Sequence, residues 1–126
     1  MDSTNVELVG QVVEAINQRN PDRLAALVAD EFEWVTYVAT VEVATYRGDA
    51  GIRQFFEDSK SWASIEARVD EVRDLGDRAQ VVGELTWRAR GGALTVRGPL
   101  ASVVYFEDGR VKRIRTYRGA SAPPER

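Results

Sequence analysis

Apolar residues recur along this chain at two spacings, and the change from one to the other divides it. Val6, Val9, Val13 and Ile16 follow the helical repeat, with Val12 widening the stripe. Thr4-x-x-Glu7 has the spacing of a capping box, in which hydroxyl and carboxylate each satisfy a free amide of the first turn. Asn20-Pro21 predicts the end of this helix and the start of a second, because proline suits the first helical position. Leu24, Leu27 and Val28 are the apolar side of that second helix. From Phe32 the helical repeat gives way to Phe-Glu-Trp-Val-Thr-Tyr-Val, a β-branched and aromatic run that predicts a strand. A second, short strand is expected over 41–46. Residues 46–58 form a joint. Gly48 stops the strand, Asp49 is placed to cap a helix, and Ile52, Phe55 and Phe56 supply its buried stripe.

The remainder alternates as an antiparallel meander. Ile65, Ala67, Val69 and Val72 mark a strand over 64–74, and Leu75-Gly-Asp-Arg78 a turn. Strands over 79–90 and 93–106 flank Gly91-Gly92, a two-residue hairpin signal. Glu107-Asp-Gly-Arg110 turns the chain into a last strand over 111–118. Helices first and a meander after them predict an α+β fold, with the helices on one face of a curved, mainly antiparallel sheet. Residues 1–120 are expected to form one domain, and 121–126 a disordered tail.

Composition narrows the chemistry more than the fold. The chain has 126 residues, 44% hydrophobic and 29% charged, with a net charge of −3. Its basic residues are interspersed with acids, so no footprint for nucleic acid or an anionic membrane is expected. It has no cysteine and no histidine. Disulfides, thiolate chemistry, histidine-based triads and zinc sites that need imidazole or thiolate are therefore excluded. No metal and no cofactor are expected. No apolar run reaches the ~20 residues of a membrane span, and the polar start resembles no signal peptide, so a cytoplasmic location is the expectation.

Three segments then carry a resemblance. They are Asn17-x-x-Asn-Pro-Asp-x-Leu-x-x-Leu-Val-Ala-Asp-Glu-Phe32, Tyr46-x-Gly-x-x-Gly-Ile-Arg-x-Phe-Phe56 and Val103-x-Tyr-Phe-Glu-Asp-Gly-Arg-Val111. In this order they resemble the SnoaL-like and ketosteroid-isomerase-like branch of the nuclear transport factor 2 superfamily. The resemblance implies a cone-shaped α+β barrel of the cystatin-like kind, three helices wrapped by a strongly bent sheet around a pocket. It also implies a homodimer packed through the outer face of that sheet. The family's catalytic groups do not carry over. Val12 stands where ketosteroid isomerases have a tyrosine, Thr36 where they have the aspartate base, and Ala101 where they have the second acid.

Candidate site residues follow from the hairpin and from the aromatic content. With Gly91 and Gly92 as the loop, Glu84, Thr86, Arg88, Arg97, Ala101 and Tyr105 share one face of the paired strands. Leu85, Trp87, Leu94, Val96, Leu100, Val104 and Phe106 share the other. Patterning makes the second face the core, whereas the resemblance puts Ala101, and so the first face, on the pocket. Either a dimer buries both faces, one against the helices and the other, apolar and outer, against the partner, or a bulge at Gly98-Pro99 exchanges the two. Glu84 is the candidate general base, its charge set by Arg97, and Arg97 alternatively holds an acidic ligand. The plainer reading of both is a cross-strand ion pair. Trp34, Trp62, Trp87, Tyr105 and Tyr117 can wall an apolar pocket, with Thr36 orienting a ligand oxygen, or can pack the core and a dimer interface. The expected partners are thus a small, largely apolar organic molecule, turned over by proton transfer or simply bound, and a second copy of the chain.

Overall fold

The computed structural model describes residues 3–38, 42–60, 62–92 and 94–117. The expected tail at 121–126 lies outside them. Helix α1 (Ser3–Asn17) starts at Ser3, so Thr4 lies within the first turn and not at its cap. The chain then breaks at Arg19, whose φ of +54° is left-handed. Helix α2 (Pro21–Leu27) starts as predicted: Asn20 Oδ1 accepts from the Arg23 N–H at 3.0 Å, and Pro21 takes the first position. Leu24 is fully buried beneath it.

Strand β1 (Val28–Val38) follows at once, four residues earlier than the aromatic run suggests, and takes Val28 with it. Strand β2 (Glu42–Arg47) leads into helix α3 (Gly48–Asp58), with the left-handed Gly48 at the joint. Asp49 does not cap α3. It sits inside the first turn and pairs with Arg53 one turn on, at 3.0 Å. Gly51 lets this helix lie close on the preceding strand, since a Cβ there would stand 2.7 Å from the carbonyl carbon of Tyr46. The phenol of Tyr46 donates to Asp58 Oδ2 at 2.8 Å, tying the two ends of the joint together.

The meander is β3 (Trp62–Asp74), β4 (Arg78–Ala89), β5 (Thr95–Glu107) and β6 (Arg110–Tyr117). A 3-10 turn at Arg90–Gly92 joins β4 to β5, with Gly91 and Gly92 both left-handed as the glycine pair predicts. The six strands form one sheet in the order β2-β1-β6-β5-β4-β3. All neighbours are antiparallel except β1 and β6. The edge at β3 is partly closed by α1. Asn17 imitates a strand there, donating to Ala67 O at 3.1 Å and accepting from Ala67 N at 2.8 Å.

The faces of the long strands are now settled. β4 and β5 pair without a shift from Arg88 opposite Thr95 to Arg78 opposite Tyr105. This is the predicted register, and no bulge interrupts it at Gly98-Pro99. Leu100 and Val104 are buried toward the helices, together with Val81 and Trp87. Ala101 alternates with them and so belongs to the outer face of the sheet, beside Val82 and Tyr117. The placement of Ala101 on the pocket is therefore corrected, and hydrophobic patterning prevails. Leu94 is the exception to that patterning: it sits beside the hairpin turn and is 54% exposed.

The one bulge along β3 and β4 that falls between Val69 and Glu71 makes Asp70 the extra residue. It brings the carbonyl of Arg68 over Gly83, where a Cβ would stand 1.8 Å from that oxygen. The core lies between the concave face of the sheet and the helices, around the fully buried Val9, Leu24, Phe32, Ile52 and Val111.

Candidate functional site

Between α1 and the sheet the core is not filled. Val9, Val12, Val13 and Ile16, the helical stripe of α1, form one wall of a cavity. The opposite wall comes from alternate residues of the long strands, among them Leu85, Leu100 and Val104. Phe55 reaches in from α3, with its ring centroid 4.2 Å from that of Trp34 and 6.5 Å from that of Trp87. The space open to the centres of water-sized spheres is about 80 Å³. One water needs roughly 10–15 Å³ on that measure, so a larger occupant has room.

Two features give this apolar space polarity. The first is a row of hydroxyls. Ser102 on β5 pairs with Thr116 on β6, and their hydroxyl oxygens are 3.0 Å apart. Trp34 pairs with Ile114 and Val35 with Arg115. Carried one residue further, that register sets Thr36 beside Thr116. All three side chains line the cavity, and Thr36 and Ser102 are buried. The second feature is Trp87. Its side chain is buried, and its indole Nε1 has no hydrogen-bond partner among the described residues. A buried donor without an acceptor costs about 1–3 kcal/mol, so such groups call for an explanation.

No carboxylate, guanidinium, ammonium or phenol lines the cavity among the described residues. A metal ion would find only hydroxyl oxygens there, a poor donor set for any divalent cation.

Of the candidate ligand contacts, Trp34, Thr36 and Trp87 are brought together on this cavity. Trp62 is half-buried behind it, edge-on to Trp87 with ring centroids 5.6 Å apart. Arg97, Tyr105 and Tyr117 are on the outer face with Ala101. The guanidinium of Arg113 lies over the ring of Tyr105, and that of Arg115 over the ring of Tyr117. Glu84 is on the outer face too, with Arg68 at 3.1 Å and Arg97 at 3.9 Å. Its place as general base to a cavity ligand is corrected by the alternation of β4, which turns Leu85 and Trp87 inward and Glu84 and Thr86 outward. Ser102 and Thr116 are polar cavity residues that sequence reasoning misses. Stepping by two along the apolar face from Leu100 to Val104 crosses Ser102, and the turn at 107–110 brings Thr116 opposite it.

The family model of the SnoaL-like domain matches residues 9–114. The chain belongs to the SnoaL-like family. Similar solved structures agree on the fold of this SnoaL-like domain. An NTF2-like protein of unknown function from Burkholderia pseudomallei superposes with a TM-score of 0.81 at 21% identity, covering 94% of this chain and 93% of the other. TerC, crystallised with polyporic acid, gives a TM-score of 0.80 at 20% identity over 93% and 92% of the two chains. A Mycobacterium tuberculosis protein in complex with estradiol-17β-hemisuccinate gives 0.78 at 14% identity over 94% and 95%. No match to the SnoaL-like chain is found among curated proteins. Among the described residues, no helix is long and apolar enough to cross a membrane.

Proposed function

We propose that this SnoaL-like domain binds a small, largely apolar organic molecule in the cavity beneath α1, and that it supplies no acid or base to that molecule. One observation carries the reading: the cavity wall is apolar, with hydroxyl and indole groups but no ionisable side chain among the described residues. Proton transfer, isomerisation or ring closure needs a group of suitable pKa within hydrogen-bond reach of the substrate. Glu84, the candidate for that role, faces away. Trp34, Thr36 and Trp87 are the proposed ligand contacts, and Trp62 backs Trp87. Two solved structures of the same fold hold organic molecules, polyporic acid in one and an estradiol derivative in the other. That makes an organic occupant the natural reading of the space.

The test is binding to the purified protein across a panel of small apolar compounds, read by calorimetry and by thermal shift. A compound that binds only the folded state raises Tm in proportion to RT ln(1 + [L]/Kd). Val12→Phe fills the cavity from the α1 side and is expected to abolish binding while the protein still unfolds cooperatively. Binding that survives Val12→Phe unchanged places the ligand elsewhere and overturns the reading. Turnover of a bound compound at a rate that falls in Glu84→Gln restores the catalytic alternative.

The outer face of the sheet is the proposed surface for a homodimer. Val35, Val82 and Tyr117 lie half-buried on it, ringed by paired charges such as Glu33 with Arg47 and Arg113. A monomeric mass in solution at micromolar concentration removes that proposal and leaves the cavity untouched.

A further inference from the structure

Trp87 is the polar group that the cavity leaves unanswered. It stands near the end of β4, is 2% exposed, and lines the space with Ile16, Phe55 and Leu85. Its indole Nε1 is buried with no hydrogen-bond partner among the described residues. An indole nitrogen only donates, so what it lacks is an acceptor.

The surroundings do not supply one. Phe55 and Trp62 bring their rings against Trp87, with centroids 6.5 Å and 5.6 Å away, and Ile65 faces it from β3. None of these side chains carries an acceptor oxygen. The cavity hydroxyls lie elsewhere: Ser102 pairs with Val81, which is six residues along β4 from Trp87, roughly 20 Å of strand. A trapped water is a poor answer too. Buried waters are held by about two to four polar partners, and the side chains around Trp87 leave both hydrogens of a water without an acceptor.

The wall decides what kind of acceptor fits. No charged side chain lines the cavity among the described residues. A carboxylate beside Trp87 would be a buried charge without a counter-ion, which costs far more than the unmet N–H. A carbonyl or ether oxygen accepts without that cost.

We infer that Trp87 determines specificity in the cavity, its indole N–H donating to an uncharged acceptor oxygen of the ligand, of the ketone, ester or ether kind. The inference rests on the cavity reading and narrows it from an apolar molecule to one that carries such an oxygen against Trp87. A hydrocarbon of the same outline fills the space and leaves the indole unmet.

The experiment uses the full chain and two ketones, acetophenone and benzophenone. Each is paired with the analogue that has CH2 in place of C=O, ethylbenzene and diphenylmethane. Proton–nitrogen correlation spectra resolve the indole N–H of each tryptophan. The Trp87 indole proton is expected to move downfield when a ketone saturates the wild-type protein, and not when the CH2 analogue does. By calorimetry, Trp87→Phe is expected to lower the preference for ketone over CH2 analogue about fivefold or more; the ratio cancels the effect of the smaller ring. Benzoate, close to acetophenone in size but charged, is expected to bind more weakly than acetophenone. A Trp87 resonance that responds alike to ketone and CH2 analogue overturns the inference and leaves the cavity reading standing. An unchanged preference in Trp87→Phe does the same, and tighter binding of benzoate overturns the uncharged class. If none of these compounds binds, the cavity reading fails and this inference fails with it. The resonance is read in the wild type, so a misfolded Trp87→Phe does not protect the proposal.

Discussion

Gly83 has no room for a methyl group. The bulge at Asp70 lays the carbonyl of Arg68 across it, and a Cβ placed there would approach that oxygen to 1.8 Å, far inside contact distance. Flanking strands cannot yield without breaking the ladder on both sides. Gly83→Ala is therefore expected to cost at least roughly 1–3 kcal/mol, seen as a lower urea midpoint with the slope unchanged. Gly10, with nothing within 4 Å of its added Cβ, is the control. Gly10→Ala in the middle of α1 is expected to be neutral or stabilising. Single residues are the least legible scale in the sequence. Glycine at 83 is unmarked there by any turn signal, because its cause is a bulge on another strand. The hydroxyl of Ser102 reads as an interruption of an apolar face until β6 supplies its partner. Thr36 is findable only through the resemblance.

Elements are far more legible, because caps and turns are local. Asn20-Pro21 and Gly91-Gly92 both specify a geometry within a few residues, and both are found as expected. The miscapped starts of α1 and α3 show where local reasoning loses. The glycine at 48 moves the α3 start ahead of Asp49, and the acid is then better used by Arg53. Asn20→Ala removes the cap of a seven-residue helix, and a loss of about 1 kcal/mol is expected in denaturant unfolding. The turn between β3 and β4 makes a pH prediction. Asp74 accepts first from the Gly76 amide and then from the Asn5 side chain of α1, and both hold its carboxyl below the ordinary value. A depressed native pKa stabilises the fold above the unfolded-state value, and that contribution disappears as pH falls through the native one. Tm of Asp74→Asn is thus expected to fall less steeply than that of the wild type on acidification below the ordinary aspartate range. A parallel decline in the two proteins would show that Asp74 contributes nothing to acid sensitivity.

For the molecule as a whole, the pattern of alternation decides which surface becomes the cavity. Two faces of β4 and β5 compete in the sequence, and the unbroken register from the glycine hairpin selects the apolar one. The consequence, among the described residues, is a ligand space without a titrating wall. Affinity for an uncharged ligand is therefore expected to stay within about twofold between about pH 5 and 9, because no nearby group changes charge there. A change of about tenfold measured by calorimetry over that range, equivalent to ~1.4 kcal/mol, would place an ionisable residue against the ligand.

The contact between Ser102 and Thr116 has one more consequence. Either hydroxyl can be the donor, so the two settings differ by the turning of two C–O bonds. In one setting the pair offers a guest a proton, and in the other a lone pair. Alcohols and ketones of the same outline are then accepted on nearly equal terms at this end, at the cost of a rotor and no rearrangement of the backbone. Discrimination between guests falls to the Trp87 indole, a donor that cannot reverse its sense. The chamber is tolerant at its hydroxyl pair and strict at its indole.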